Sequence, residues 1–180
     1  MRRLKRSFYA RDAAEVARGL LGKIIQHGDT SGRIGETEAY LGTGDAAAHS
    51  AAGITPRTKV IFGPPGHAYV YLSYGIHACL NLVAEPEGTA GCVLIRAVAP
   101  LSGIDEMRRR RGVRDDAELS NGPGKLTKAL GITLAHNGVD VTHGPIVVLD
   151  DGCSGFEISI SRRIGISKSQ ELPLRFFVVE

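Results

Sequence analysis

AYVYLSYGIHACLNLV, residues 68–83, is two apolar runs joined around Gly75, and its reading decides the fold. Side chains in a strand alternate faces, so Tyr69, Tyr71 and Ser73 share one face and Val70, Leu72 and Tyr74 the other. A glycine between two such runs signals a hairpin, which makes the strands antiparallel neighbours. The sequence leaves the loop length open. A three-residue loop of Tyr74, Gly75 and Ile76 sets Asn81 opposite Tyr69 on the face of Tyr71, whereas a two-residue loop turns Asn81 away. Tyr74 then lies at the tip, a large aromatic exposed where folding gains little from it. Tyr69 is accounted for by the ordinary strand preference for tyrosine.

Outward from the hairpin, short strand-like runs outnumber helices. GETEAY (35–40), GCVLIRAV (91–98), PIVVLD (145–150), FEISI (156–160) and LRFFVV (174–179) read as strands, with another from Lys23. A helix is predicted from Asp12 to Leu21, apolar at Val16, Leu20 and Leu21 and stopped by Gly22. A second has Ser102 as its cap, Asp105 and Glu106 early, Arg108 to Arg111 late and Gly112 as its stop. A third runs from Pro123 to Gly131. Sequential strands tend to be neighbours, so the expectation is an α+β fold, one domain over residues 1–180, with a mixed, mostly antiparallel sheet, flanking helices and a protruding hairpin.

The 180 residues are 43% hydrophobic and 23% charged, enough for one domain with its own core. No GxGxxG or GxxxxGK[ST] occurs, which removes the usual sign of a nucleotide-cofactor fold. Nothing apolar approaches a membrane span, and MRRLKRSFYARD lacks the apolar stretch of a secretory signal, so a cytoplasmic protein is expected. Cys79, Cys92 and Cys153 form no CxxC and are expected as buried free thiols. The six histidines are scattered, and no metal set is predicted.

GETEAY carries the candidate chemistry. Glu36, Glu38 and Tyr40 share a face, Gly35, Thr37 and Ala39 the other, and His49 follows soon after. A carboxylate that takes a proton from water, beside an aromatic face and an imidazole, suits hydrolysis of something flat; a half-exposed strand with solvated acids is the plain alternative. Net charge is only +3, but basic residues bunch at Arg2, Arg3, Lys5 and Arg6, at Arg108 to Arg111 with Arg114, at Lys125 and Lys128, and at Arg162 and Arg163. Such clusters neutralise phosphates or simply form solvated faces, and helix-dipole complementation explains the four-arginine run without a ligand. In SNGPGKLTKALGI (120–132), free amides at the helix start plus Lys125 suit a phosphate.

ETEAYLGTGDAAAHS (36–50), TPRTKVIFGPPGHAYVYLSYGIHACLN (55–81), GCVLIRAVAPL (91–101), NGPGKLTKALGI (121–132), RIGI (163–166) and LPLRFF (172–177), in that order, resemble the alkyladenine (methylpurine) DNA glycosylase family over nearly the whole chain. The resemblance implies a methylpurine-glycosylase-like fold. It also implies a cofactor-free, monofunctional enzyme that flips a damaged purine from duplex DNA, working from the minor-groove side, and hydrolyses its glycosidic bond. It maps the general base onto Glu38, the stacking pocket onto Tyr40, His49 and Tyr71, and the intercalating wedge onto Tyr74. Asn81 maps onto the asparagine that obstructs the amino group of guanine, and Arg96 onto an arginine holding the site and the flipped nucleotide. Arg57, Lys59 and Lys125 become candidate phosphate contacts. The implied enzyme is a monomer at a bacterial-type nucleoid.

The chain departs from the family pattern at Thr58 and Ile61, and at Ser73, Ile76 and Ala78, which make the wedge region smaller and bear on lesion range and DNA grip. Two other readings stay open: a glycosidase pairing Glu36 with Glu38 as acid and base, and a non-catalytic duplex-binding module that inserts Tyr74.

Overall fold

The computed structural model describes residues 1–179. In chain order the elements are β1 (Arg2–Arg3), α1 (Arg6–Tyr9), α2 (Ala13–Leu20), β2 (Ile24–His27), β3 (Thr30–Leu41), β4 (Ala68–Ser73), β5 (His77–Val83), β6 (Gly91–Ser102), α3 (Ile104–Arg111), α4 (Pro123–Leu130), β7 (Ile146–Asp150), β8 (Glu157–Ser161) and β9 (Arg175–Val179). Single 3₁₀ turns at His49–Ala52 and Lys59–Phe62 interrupt the long passage from β3 to β4. The nine strands form one sheet, ordered β1-β7-β2-β3-β6-β5-β4, with β9 on β3 and β8 on β9. Every pair is antiparallel, so the α+β expectation holds with no parallel pair among the described strands. No helix among them is long and apolar enough to cross a membrane.

β3 is the hub. One edge pairs with β6 along nearly its whole length, and the other is divided between β2, at residues 30–33, and β9, at residues 36–38. A register irregularity around Gly35 lets one strand serve both partners. At the far end Gly42 lies so close to the Ala90 carbonyl that a Cβ there would overlap it.

The helices cover one face of the sheet. Asp12 caps α2 by accepting from the amides of Ala14 and Glu15, and Ala13, Val16, Ala17 and Leu20 recur at helical spacing on its buried side. Burying Val16 and Leu20 is worth about 1.5–3 kcal/mol each. Thr37, on the β3 face toward α2, satisfies its hydroxyl on the Ala17 carbonyl at 2.9 Å. α4 starts on Pro123 and ends on left-handed Gly131, burying Leu126, Ala129 and Leu130 in the same core as Val70, Leu80, Leu82, Val93 and Ile95. α3 departs from expectation at its start. Gly103, at φ 69°, is its cap, while Ser102 still belongs to β6 and bonds Ser31 and the Asp29 carbonyl.

The hairpin has the three-residue loop. Ser73 pairs with His77 and Tyr69 with Asn81, leaving Tyr74, Gly75 and Ile76 at the turn. Both Tyr74 and Gly75 have left-handed backbones, φ 51° and 70°. For a bulky residue that costs roughly 1–2 kcal/mol. Cys79 and Cys92 are buried free thiols, whereas Cys153 is partly exposed.

Candidate active site

The face of β3 to β6 turned away from the helices carries the candidate chemistry. Alternation puts Ala68, Val70, Leu80, Leu82, Val93 and Ile95 into the helix-side core, so the intervening residues point the other way. There Tyr69, Tyr71, Cys79, Asn81, Cys92, Leu94, Arg96 and Tyr40 line a cleft of about 1100 Å³. His49, Arg57 and the stretch from Ile164 to Lys168 form its walls, and Ser73 and Tyr74 its rim toward the hairpin tip.

Glu38 lies just beneath the floor, its side chain fully buried. Oε2 accepts from the Tyr40 hydroxyl at 3.0 Å and Oε1 from the Ile164 amide at 2.8 Å. The Arg96 guanidinium lies 3.4 Å from Oε1. A buried carboxylate needs such donors, because burying it unpaired costs several kcal/mol. The two donors and the guanidinium all belong to residues that line the cleft, so the carboxylate is one layer from it. Arg96 also donates from Nε to Glu36 Oε1 at 2.9 Å, and Arg175 reaches the same oxygen at 2.5 Å. Glu36 is therefore the acid that orients Arg96, clamped by two cations.

The aromatic groups form one connected set. His49 Nδ1 lies 2.9 Å from the Tyr69 hydroxyl, and the His49 ring stands edge-on to Tyr71, centroids 4.6 Å apart. Tyr69 and Tyr71 stack at 5.4 Å. Arg57 donates to the Tyr69 hydroxyl at 3.2 Å and lays its guanidinium over Tyr71 at 5.1 Å. Burial, followed by the Arg57 charge, pushes the His49 pKa below its ordinary value, so the ring favours its neutral form. Burial, then the neighbouring Glu38 charge, raises the Tyr40 phenol far above its ordinary range and keeps it a hydrogen-bond donor. Burial likewise pushes the Cys92 thiol up to about 12, which makes it inert.

The structure thus gathers Glu38, Tyr40, His49, Tyr71, Asn81 and Arg96 at one cleft. Asn81 is buried in its floor and donates to the Tyr69 carbonyl at 3.2 Å. Tyr74 projects from the hairpin tip, 89% exposed, beside Ile76 at 73%. Arg57 packs on the aromatic set, Lys59 is exposed, and Lys125 is held by Glu118 at 2.6 Å and Asn121 at 2.7 Å, so a phosphate there would have to compete with a carboxylate. Sequence reasoning missed Tyr69, which fixes His49, because in a period-two pattern it looks identical to Tyr71. It also missed the Ile164 amide, the buried Asp45–Arg163 pair and Lys168, an exposed lysine on the cleft wall.

A buried carboxylate under an aromatic cleft, with an exposed aromatic at a nearby tip, fits a base-excising DNA enzyme. The methylpurine-DNA glycosylase family profile matches residues 7–180. A relative from Rhodopseudomonas palustris (strain BisB18) is 53% identical over 97% of this chain and 86% of its own length. One from Methanoculleus marisnigri is 47% identical over 97% and 94%, and one from Chlorobaculum tepidum 48% over 99% and 88%. All three carry the name "Putative 3-methyladenine DNA glycosylase". The chain belongs to the methylpurine-DNA glycosylase family and is a DNA glycosylase.

Proposed function

We propose that the protein removes alkylated purines of the 3-methyladenine type, together with 7-methylguanine, hypoxanthine and ethenoadenine, by hydrolysing the N-glycosidic bond of a base flipped from duplex DNA. Glu38 is the general base for water, and Tyr40, His49 and Tyr71 hold the purine. Asn81 excludes normal guanine, and Tyr74 enters from the minor groove to fill the gap. The observation that carries this reading is the Glu38 carboxylate, fixed by Tyr40, Ile164 and Arg96 directly under an aromatic cleft. Purine loss develops positive charge on the sugar, and a carboxylate there stabilises that charge and activates water. Flipping costs a few kcal/mol, least for a damaged base, so selection begins before the pocket is reached. The exposed lysine on the wall is solvated, and a lyase would need a desolvated amine nucleophile. The enzyme works on cytoplasmic chromosomal DNA as a monomer without a cofactor.

Duplexes carrying one methylated, etheno or deaminated purine test the reading. Wild type is expected to leave abasic sites, Glu38→Gln to lose about a hundred- to ten-thousand-fold in single-turnover rate, and Tyr74→Ser to weaken lesion capture more than the chemical step. Lesion binding without base release would favour the duplex-binding module. Undiminished cleavage by Glu38→Gln would remove Glu38 from the mechanism.

A further inference from the structure

Under Tyr40 lies a buried ion pair to which the chemistry above gives no task. The side chains of Arg163 and Asp45 are both fully buried. Arg163 Nη1 donates to Asp45 Oδ2 at 2.6 Å and to the Ala39 carbonyl at 3.0 Å, and Nη2 to Asp45 Oδ1 at 2.8 Å. Asp45 also accepts from the amides of Leu41 at 3.0 Å and Ala47 at 3.1 Å. The guanidinium sits 4.6 Å from the centroid of the Tyr40 ring. Desolvation offsets most of what such a pair contributes to stability, so stability alone does not explain it.

We propose that Asp45 and Arg163 are specificity-determining positioning residues: the pair keeps the layer beneath Tyr40 electrically neutral, so that a positively charged alkylated purine stacks on the open face of the ring without repulsion. The inference rests on the glycosylase reading above. A cation on one face of an aromatic ring draws on the electron density that a cationic base on the other face would use. In a poorly solvated site it also repels that base through the ring. Asp45, bound bidentately, cancels both effects. A neutral purine is indifferent to the difference. The same guanidinium ties Ala39 to the stretch whose Ile164 amide holds Glu38, so charge control and geometry reside in one group.

The test is the ratio of single-turnover excision rates for 7-methylguanine, a cation, and hypoxanthine, which is neutral, from otherwise identical duplexes, with folding of each variant checked by circular dichroism. Asp45→Asn leaves the guanidinium uncompensated, and the cationic-to-neutral ratio is expected to fall about tenfold. Arg163→Gln removes both the cation beneath the ring and the partner that holds Asp45 ionised, so the buried carboxyl takes up a proton, the layer stays neutral and the ratio is expected to remain near wild type. The double variant is expected to return near the wild-type ratio even if both rates drop. Only Asp45→Asn leaves an uncompensated cation, so the ratio is expected to fall in that variant alone. A folded Asp45→Asn whose ratio stays within about twofold of wild type, or a folded Arg163→Gln or double variant whose ratio falls, would overturn the inference. Wild type that excises neither base would instead overturn the functional reading beneath it.

Discussion

His49 shows how one residue's setting controls its chemistry. Its ring meets Tyr71 edge-on, its Nδ1 faces the Tyr69 hydroxyl, and Arg57 stands nearby. Burial and that charge depress its pKa below 6.5. The unfolded chain takes up a proton near 6.5 that the folded chain refuses, so His49 costs stability as pH falls below that value, while the cleft keeps a neutral ring there. NMR titration is expected to place the His49 midpoint below 6.5 and Arg57→Ala to raise it partway back; a midpoint at or above 6.5 would contradict the setting. Residue positions were legible where spacing alone sets them. Glu38 and Tyr40 share a face because a strand alternates, whereas the face of Asn81 was open in the sequence and is set by the three-residue loop, which puts it opposite Tyr69. What was not legible depends on distant partners: Tyr69 needs His49, and Asp45 needs Arg163, 118 residues away.

At the scale of elements, α3 carries a charge run that its own neighbours pair. Arg108 pairs with Asp105 and Asp116, and Arg109 and Arg110 with Glu106, while Arg111 donates to the Leu119 carbonyl. Arg109 and Arg110 pull the partly exposed Glu106 carboxyl down to about 2. Helix-dipole complementation accounts for the place of this run at the end of α3, and the pairing with Asp116 comes from beyond the helix. Lys168 on the cleft wall has no such partner among the described residues. Arg109→Gln is therefore expected to leave the salt dependence of duplex binding unchanged, and Lys168→Gln to reduce its slope by about 0.9. A shift with Arg109 and none with Lys168, measured by fluorescence anisotropy at several salt concentrations, would reverse the assignment. Strands were easier to read than their ends. Ser102 has a cap-forming side chain, but β6 keeps it in the sheet, and Gly103 makes the left-handed turn that a serine would resist.

Across the whole molecule, carboxylates tie distant segments together: Asp140 to Arg6, Asp150 to Lys23, Asp151 to Arg33 and Asp45 to Arg163. At Asp45 and Asp140 burial alone would raise the pKa, but hydrogen bonds, to Arg163 in one case and to Thr142 and Arg6 in the other, hold the carboxyls below 3.8. Lys23 and Arg33 do the same for Asp150 and Asp151. Groups with depressed folded pKa values stabilise the fold above their ordinary 3.8 and lose that contribution as pH falls through the folded values. Melting temperature is thus expected to change little above about pH 5, apart from the shallow loss from His49, and to drop steeply below about pH 4; a flat profile to pH 3 would mean these pairs do not hold the segments.

The division of β3 between early and late partners also sets an order of assembly. Residues 36–38 close onto β9 near the end of the chain, Glu36 takes Arg175, and Glu38 takes the amide of Ile164. During synthesis the hairpin and the β3–β6 pair are complete while Glu38 still lacks the amide that aims it. On the proposed mechanism, catalytic competence therefore waits for the segment around Ile164 and β9, and a chain terminated before it would display the exposed Tyr74 without an aimed carboxylate.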